Sequence, residues 1–155
     1  MSLGADFIAI SEQKLSKLQD TPKELCNFLR KEGDEKPSER LCIDDAWDIL
    51  AQTLDKLNIA FSTKLQQLTG LPCAEMAFYL SAADVALLAK QLTACDSAAI
   101  RRILKSLDYE EIYHGERWRE EEDESEEEFL EFFENVSNFF EEVADKNAAI
   151  VYLLT

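Results

Sequence analysis

The sequence predicts a single α+β domain, a small sheet of short strands packed with several helices. Three observations predict it. Short apolar, partly β-branched runs stand at Asp6–Ile10, Ala77–Leu80 and Ala148–Leu154. Between them lie groups of segments whose apolar residues recur at three- and four-residue steps, the period of an amphipathic helix. Short strands separated by groups of helices form the α+β pattern, with the terminal strands expected side by side in one sheet.

The 155 residues fit one domain over 1–155. A domain of this size buries roughly 68–70% of the surface its unfolded chain exposes. With 46% hydrophobic residues, that suffices for a core without disulfide or metal staples. Met1 to Leu3 precede the strand pattern and are compatible with a cloning leader. No stretch approaches the roughly 20 apolar residues that span a bilayer. The N-terminus has no basic region followed by an apolar run, so a cytoplasmic location is expected.

Each element has its own local signal. Ser11 offers an N-cap for a helix through about Gln19, with Leu15 and Leu18 on one face. Thr21-Pro22-Lys23-Glu24 opens a second helix with a cap, a proline at the first position and a capping-box glutamate. Leu25, Phe28 and Leu29 are its apolar stripe. Lys31–Arg40, with Gly33, Pro37 and many charges, reads as a solvated loop. Ile43, Trp47, Leu50, Leu54 and Leu57 predict a helix from near Asp44, with Trp47 on its buried stripe. Asp44 and Asp45 suit the positive end of its dipole. Phe61, Leu65 and Leu68 suggest a short helix stopped by Gly70 and Pro72. Ser81-Ala82-Ala83-Asp84 turns the second strand into a helix carrying Val85, Leu88 and Leu92. Asp96 caps the next, lined by Ile100, Ile103, Leu104 and Leu107. Tyr109–Arg119 reads as an irregular aromatic segment. Ser125 begins a long helix with Phe129, Phe132, Phe133, Val136, Phe140 and Val143 on one side.

Charge is the most unusual bulk property: the formal net charge is −16. From Glu120 to Glu142 there are twelve acidic residues and no basic one. A disordered acidic tail would lack the aromatic stripe threaded through this run. Such a surface disfavours nucleic acid and anionic membrane as partners and attracts a basic protein.

Three segments together resemble the YfbM-like family, a bacterial group of unknown function. Ile43-Asp44-Asp45-Ala46-Trp47-Asp48-Ile49-Leu50 is similar to its I-D-K-A-W-D-x-L helix. Tyr79-Leu80-Ser81-Ala82-Ala83-Asp84-Val85 is similar to its Y-L-T-P-E-E-V junction. Glu111 to Trp118 resembles its I-Y-P-x-x-W segment ahead of an acidic helix and a final strand. The resemblance runs over nearly the whole chain and implies the family's compact α+β fold, without an activity. Two departures matter. Ala51 replaces the histidine that follows W-D-x-L, and Leu54-Asp55-Lys56 replaces an L-T-G turn. His114 also stands where proline is usual, so no role transfers to it.

Few chemistries find support in the residues. His114 is the only histidine, and no G-x-S-x-G turn is present; the reading is a loop histidine, and no catalytic residue is assigned. Four glycines without a phosphate-cradle motif give nucleotide binding no support. The cysteines Cys26, Cys42, Cys73 and Cys95 include no C-x-x-C pair, so no metal site is assigned. In a reducing compartment all four read as free structural thiols, Cys26 as a core residue. The acidic run lacks D-x-D-x-D-G spacing and reads as a solvated face, and no cofactor is implied. Asp44, Asp45 and Asp48 beside Trp47 are weighed for acid/base work against simple capping, and capping is favoured.

The leading expectation is a non-enzymatic acidic interaction domain that binds a basic protein, possible versions being inhibitor-like or immunity-like. Its candidate interaction or pocket residues are Trp47, Asp48, Tyr79, Tyr113, His114 and Trp118, with the aromatics lining a shared cleft. The alternative is a small-ligand-binding or hydrolytic enzyme using carboxylates near that cleft. A third reading is a subunit of a homo-oligomer.

Overall fold

The computed structural model describes residues 3–30, 39–119 and 122–155. Met1 and Ser2, most of the charged loop at 31–38, and the first two glutamates of the acidic run lie outside them. Five strands are described: β1 (Ala5–Ile10), β2 (Arg40–Asp44), β3 (Gln66–Leu68), β4 (Met76–Leu80) and β5 (Ala149–Leu154). They pair antiparallel throughout, in the order β2-β1-β5-β4-β3. Seven helices accompany them: α1 (Glu12–Leu18), α2 (Pro22–Leu29), α3 (Trp47–Lys56), α4 (Ala82–Thr93), α5 (Ser97–Ser106), α6 (Glu116–Arg119) and α7 (Glu122–Asp145).

The expected adjacency of the terminal strands is observed, with Phe7 opposite Tyr152. Strand alternation splits the core in two. Ala5 and Phe7 of β1 and Ile150, Tyr152 and Leu154 of β5 face α3 to α7. Ile8 and Ile10, with Ala149, Val151 and Leu153, face α1 and α2. Helices therefore cover both faces, and all six residues of β5 are buried. That is why β5 reads as a continuous apolar run without alternation.

Two strands escape the sequence pattern. Ile43 belongs to edge strand β2, and the following helix begins only at Trp47, because Asp44 takes φ 48° and turns the chain. Phe61, Leu65 and Leu68 mimic a helical spacing. The chain there forms a 3-10 turn at Ser62–Lys64 and then the three-residue strand β3. Tyr109–Arg119 is also more regular than expected, with a 3-10 turn at Tyr109–Glu111 followed by α6.

Caps explain several helix ends. The hydroxyls of Ser11 and Ser81 and the carboxylate of Asp96 accept first-turn amides. Thr21 does not cap: its hydroxyl donates to Leu18 O instead. Asn58 (φ 60°) and Asn147 (φ 52°) end α3 and α7 in the left-handed conformation. The next amides, of Ile59 and Ala148, donate to Leu54 O and Val143 O, the Schellman pattern.

The free-thiol reading is corrected at one pair. Cys26 on α2 and Cys73 before β4 form a disulfide, with Cα atoms 5.8 Å apart. They are 47 residues apart in sequence, and only the packing of α2 against the sheet brings them together.

Helix α7 starts at Glu122, three residues before the expected Ser125, whose hydroxyl instead faces Arg117 O at 3.5 Å. Its inner stripe is Phe129, Phe133, Val136, Phe140 and Val143, all buried. Phe132 is only half-buried, and Phe139 is buried beside the stripe. Phe140 meets Phe7 at 5.3 Å between ring centres, edge to face, which ties the helix to the sheet.

Candidate functional site

The N-terminal turn of α3 and the loop at 112–115 build one polar cluster. Asp48 Oδ2 accepts the Tyr113 amide at 2.9 Å, and Gln52 donates to both Asp48 oxygens at 3.3 Å. Asp45 Oδ2 lies 2.9 Å from His114 Nδ1, which carries the hydrogen when the carboxylate is ionised. Asp45 Oδ1 accepts from Arg117 at 2.6 Å, and a second Arg117 nitrogen reaches Glu128 at 2.8 Å. The cluster thus ties α3, α6 and α7 through one ion-pair chain.

The loop is held in a demanding shape. A side chain at Gly115 would put its Cβ within 3.0 Å of backbone carbonyls at Tyr109 and Ile112, so only glycine fits. His114 takes φ 53°, which is closed to the proline usual at this position in the resemblance pattern. Its ring stacks on Tyr113 at 4.1 Å between centres.

The aromatic pair has backbone work of its own. Trp47 and Tyr113 lie 5.1 Å apart between ring centres. Trp47 Nε1 donates to Leu3 O at 3.2 Å, and Tyr113 Oη accepts the Leu3 amide at 2.6 Å. Together they fix the chain just ahead of β1. Trp47, placed on the buried stripe from sequence, is only partly buried.

The other two aromatics stand elsewhere. Tyr79 packs on the α1–α2 face of the sheet, its hydroxyl donating to Gln66 at 2.9 Å. Trp118 is buried against Phe129 and lines a cavity of about 250 Å³ with Leu104, Leu107, Tyr109 and Glu126. Its indole N–H has no hydrogen-bond partner among the described residues. The structure therefore joins Trp47, Asp48, Tyr113 and His114 and places Tyr79 and Trp118 apart, so the four aromatics share no single cleft.

Sequence reasoning missed that Asp45 pairs with both His114 and Arg117, because residues 69 and 72 positions apart meet only through the fold. It also missed Tyr152. Burial, reinforced by the negative charge of Asp48, pushes that phenol above its ordinary value of 10.

The outer side of α7 presents a different environment. Arg101 pairs with Glu126 and Glu127, and Arg117 with Glu128. Beyond them, exposed Glu131, Glu134 and Glu141 meet no cation within ion-pair distance among the described residues. These carboxylates border an open groove of about 740 Å³ between α7 and the α4–α5 pair. No described helix is long and apolar enough to cross a membrane.

The fold has a counterpart among solved structures. The chain is similar to a protein of unknown function, YfbM from Escherichia coli, with a TM-score of 0.70 and 16% identity. The match covers 98% of this chain and 99% of that one. No curated protein matches. A family model described as "Domain of unknown function (DUF1877)" matches residues 1–153. The chain belongs to that family.

Proposed function

We propose that this protein is a non-enzymatic interaction domain of the bacterial cytoplasm that meets a basic protein through the outer face of α7, as an inhibitor or immunity protein would. One observation carries the reading: the carboxylates of Glu131, Glu134 and Glu141 are exposed on one side of one helix, with no cation in ion-pair distance among the described residues. Like charges one turn apart repel by a few tenths of a kcal/mol, a cost that an oppositely charged surface removes. Exposed pairs contribute only about 0.2–1 kcal/mol each. The field of the net −16 charge adds steering, raising association rates by roughly 10- to 1,000-fold at low salt. Nucleic acid and anionic lipid are repelled by the same field.

The test is affinity capture at low and high salt with the wild type and a Glu131→Gln/Glu134→Gln/Glu141→Gln variant. The reading expects a basic protein held by the wild type at low salt, released at high salt and lost by the variant. Retention that ignores both salt and variant contradicts it. Disulfides are rare in a reducing cytoplasm. Thiol counting on freshly lysed cells therefore tests the compartment through the state of Cys26 and Cys73.

A second reading rests on the His114–Asp45 pair. With Nδ1 held by the carboxylate, His114 presents Nε2 as a base at the surface, its side chain 38% exposed. That arrangement would serve small-ligand binding or hydrolysis near Trp47 and Asp48. Turnover of ester or phosphoester substrates that His114→Ala abolishes supports it. Absent turnover, or turnover that survives the substitution, removes it.

A further inference from the structure

We infer that the groove between α7 and the α4–α5 pair is the seat of a basic amphipathic helix of the partner protein. This rests on the acidic-face reading and specifies its geometry. The groove runs from Glu127 past Thr93 and Glu141, which it shares with a neighbouring hollow of about 550 Å³ reaching Asp145. From Glu127 to Asp145 is 18 residues, about 27 Å along the helix. Five turns of a partner helix span that length.

The rim fits a helix better than an extended strand. Its carboxylates Glu127, Glu131, Glu134, Glu141 and Asp145 follow steps of four, three, seven and four, so they form one stripe on α7. A partner helix brings Lys or Arg to one face once per turn, about every 5.4 Å, in phase with that stripe. An extended chain repeats about every 6.7 Å and falls about one full two-residue repeat behind across the groove. Of the bases near the rim, Arg101 is already spent on Glu126 and Glu127, leaving Lys90 across from Glu141. Most of the neutralising charge must therefore come with the occupant.

A second observation lies inside the groove. Ser137 lines it, is 8% exposed, and makes no hydrogen bond within the described structure. Its hydroxyl opens onto the groove beside the carboxylate rim and is placed to bond a polar side chain of the occupant. Between the rims, half-buried Leu130, Cys95, Ala86 and Ala144 give the floor an apolar character suited to the partner's other face. A second copy of this chain brings another −16 and is repelled. Among the described residues no group of three or more acidic, cysteine or histidine side chains is placed to hold a metal ion.

The experiment titrates the isotope-labelled protein with two synthetic peptides of identical composition, followed by amide NMR shifts. One carries Lys and Arg at helical spacing opposite a leucine face, and the other is a scramble with the register destroyed. Expected are shifts confined to α4, α5 and the 127–145 side of α7, and binding roughly tenfold tighter than the scramble. The Glu131→Gln/Glu134→Gln/Glu141→Gln variant should lose roughly tenfold, and Ser137→Ala a smaller factor. Equal affinity for both peptides overturns the helical groove while leaving the acidic-face reading standing. No binding of either overturns both. Shifts centred on Trp47 and His114 overturn the location.

Discussion

The carboxylates at the start of α3 and those along the outside of α7 are the same chemical group in opposite circumstances. Asp45 and Asp48 are surrounded by donors: an imidazole, a guanidinium, a backbone amide and an amide side chain. Their charge is consumed in holding the 112–115 loop and the Leu3 clamp in place. Glu131, Glu134 and Glu141 face solvent and meet no cation among the described residues. The difference teaches where to seek function in a chain rich in acids. A carboxylate saturated by its own fold is structural, whereas one left unmatched on a rigid support is available to another molecule.

The comparison depends first on α7 being anchored, beyond its ion-paired start at Glu126 to Glu128, from its inner side. Phe129→Ala should lower unfolding free energy by about 3–5 kcal/mol in a denaturant titration, because the ring is fully buried against Trp118. A loss under about 1 kcal/mol would show the helix only loosely attached and break the comparison. Next, Asp48→Ala removes a charged acceptor from two donors and should cost about 1.5–3 kcal/mol by the same assay. No change would place Asp48 with the unmatched acids.

The buried Tyr152 sharpens the contrast through pH. Its folded pKa is raised above 10 by burial and by Asp48, so the unfolded chain releases the phenolic proton first. Stability is therefore untouched below about pH 9 and falls above pH 10, by up to about 1.4 kcal/mol per pH unit. Alkaline denaturation should show this fall in the wild type and lose it in Tyr152→Phe. The smallest effect belongs to the outer face. Glu131→Gln/Glu134→Gln/Glu141→Gln should move stability by no more than about 0.5 kcal/mol, upward if at all. A large loss would reveal hidden partners for those carboxylates.

Much of the fold was legible because its signals are local. Ser11, Ser81 and Asp96 announce their helices by chemistry that acts within three residues. The inner stripe of α7 survives a surplus of glutamate because a helix sorts residues by angle and not by count. Strands β2 and β3 were illegible for the opposite reason. They are short edges whose apolar residues fall at helical intervals by coincidence, and pairing with β1 and β4 decides them. The site was legible residue by residue and not as an assembly. Trp47, Asp48, Tyr113 and His114 stood out, but the Asp45 link between His114 and Arg117 and the staple at Cys26–Cys73 depend on long-range packing that leaves no spacing in the chain.

Amide hydrogen exchange along α7 tests the central claim most directly, measured in the wild type and in the Glu131→Gln/Glu134→Gln/Glu141→Gln variant. An inner aromatic stripe that secures the helix beyond Glu128 predicts strong protection from Phe129 to Val143 in both proteins. Rapid exchange there in the wild type, or protection that disappears once the outer acids are neutralised, would contradict it.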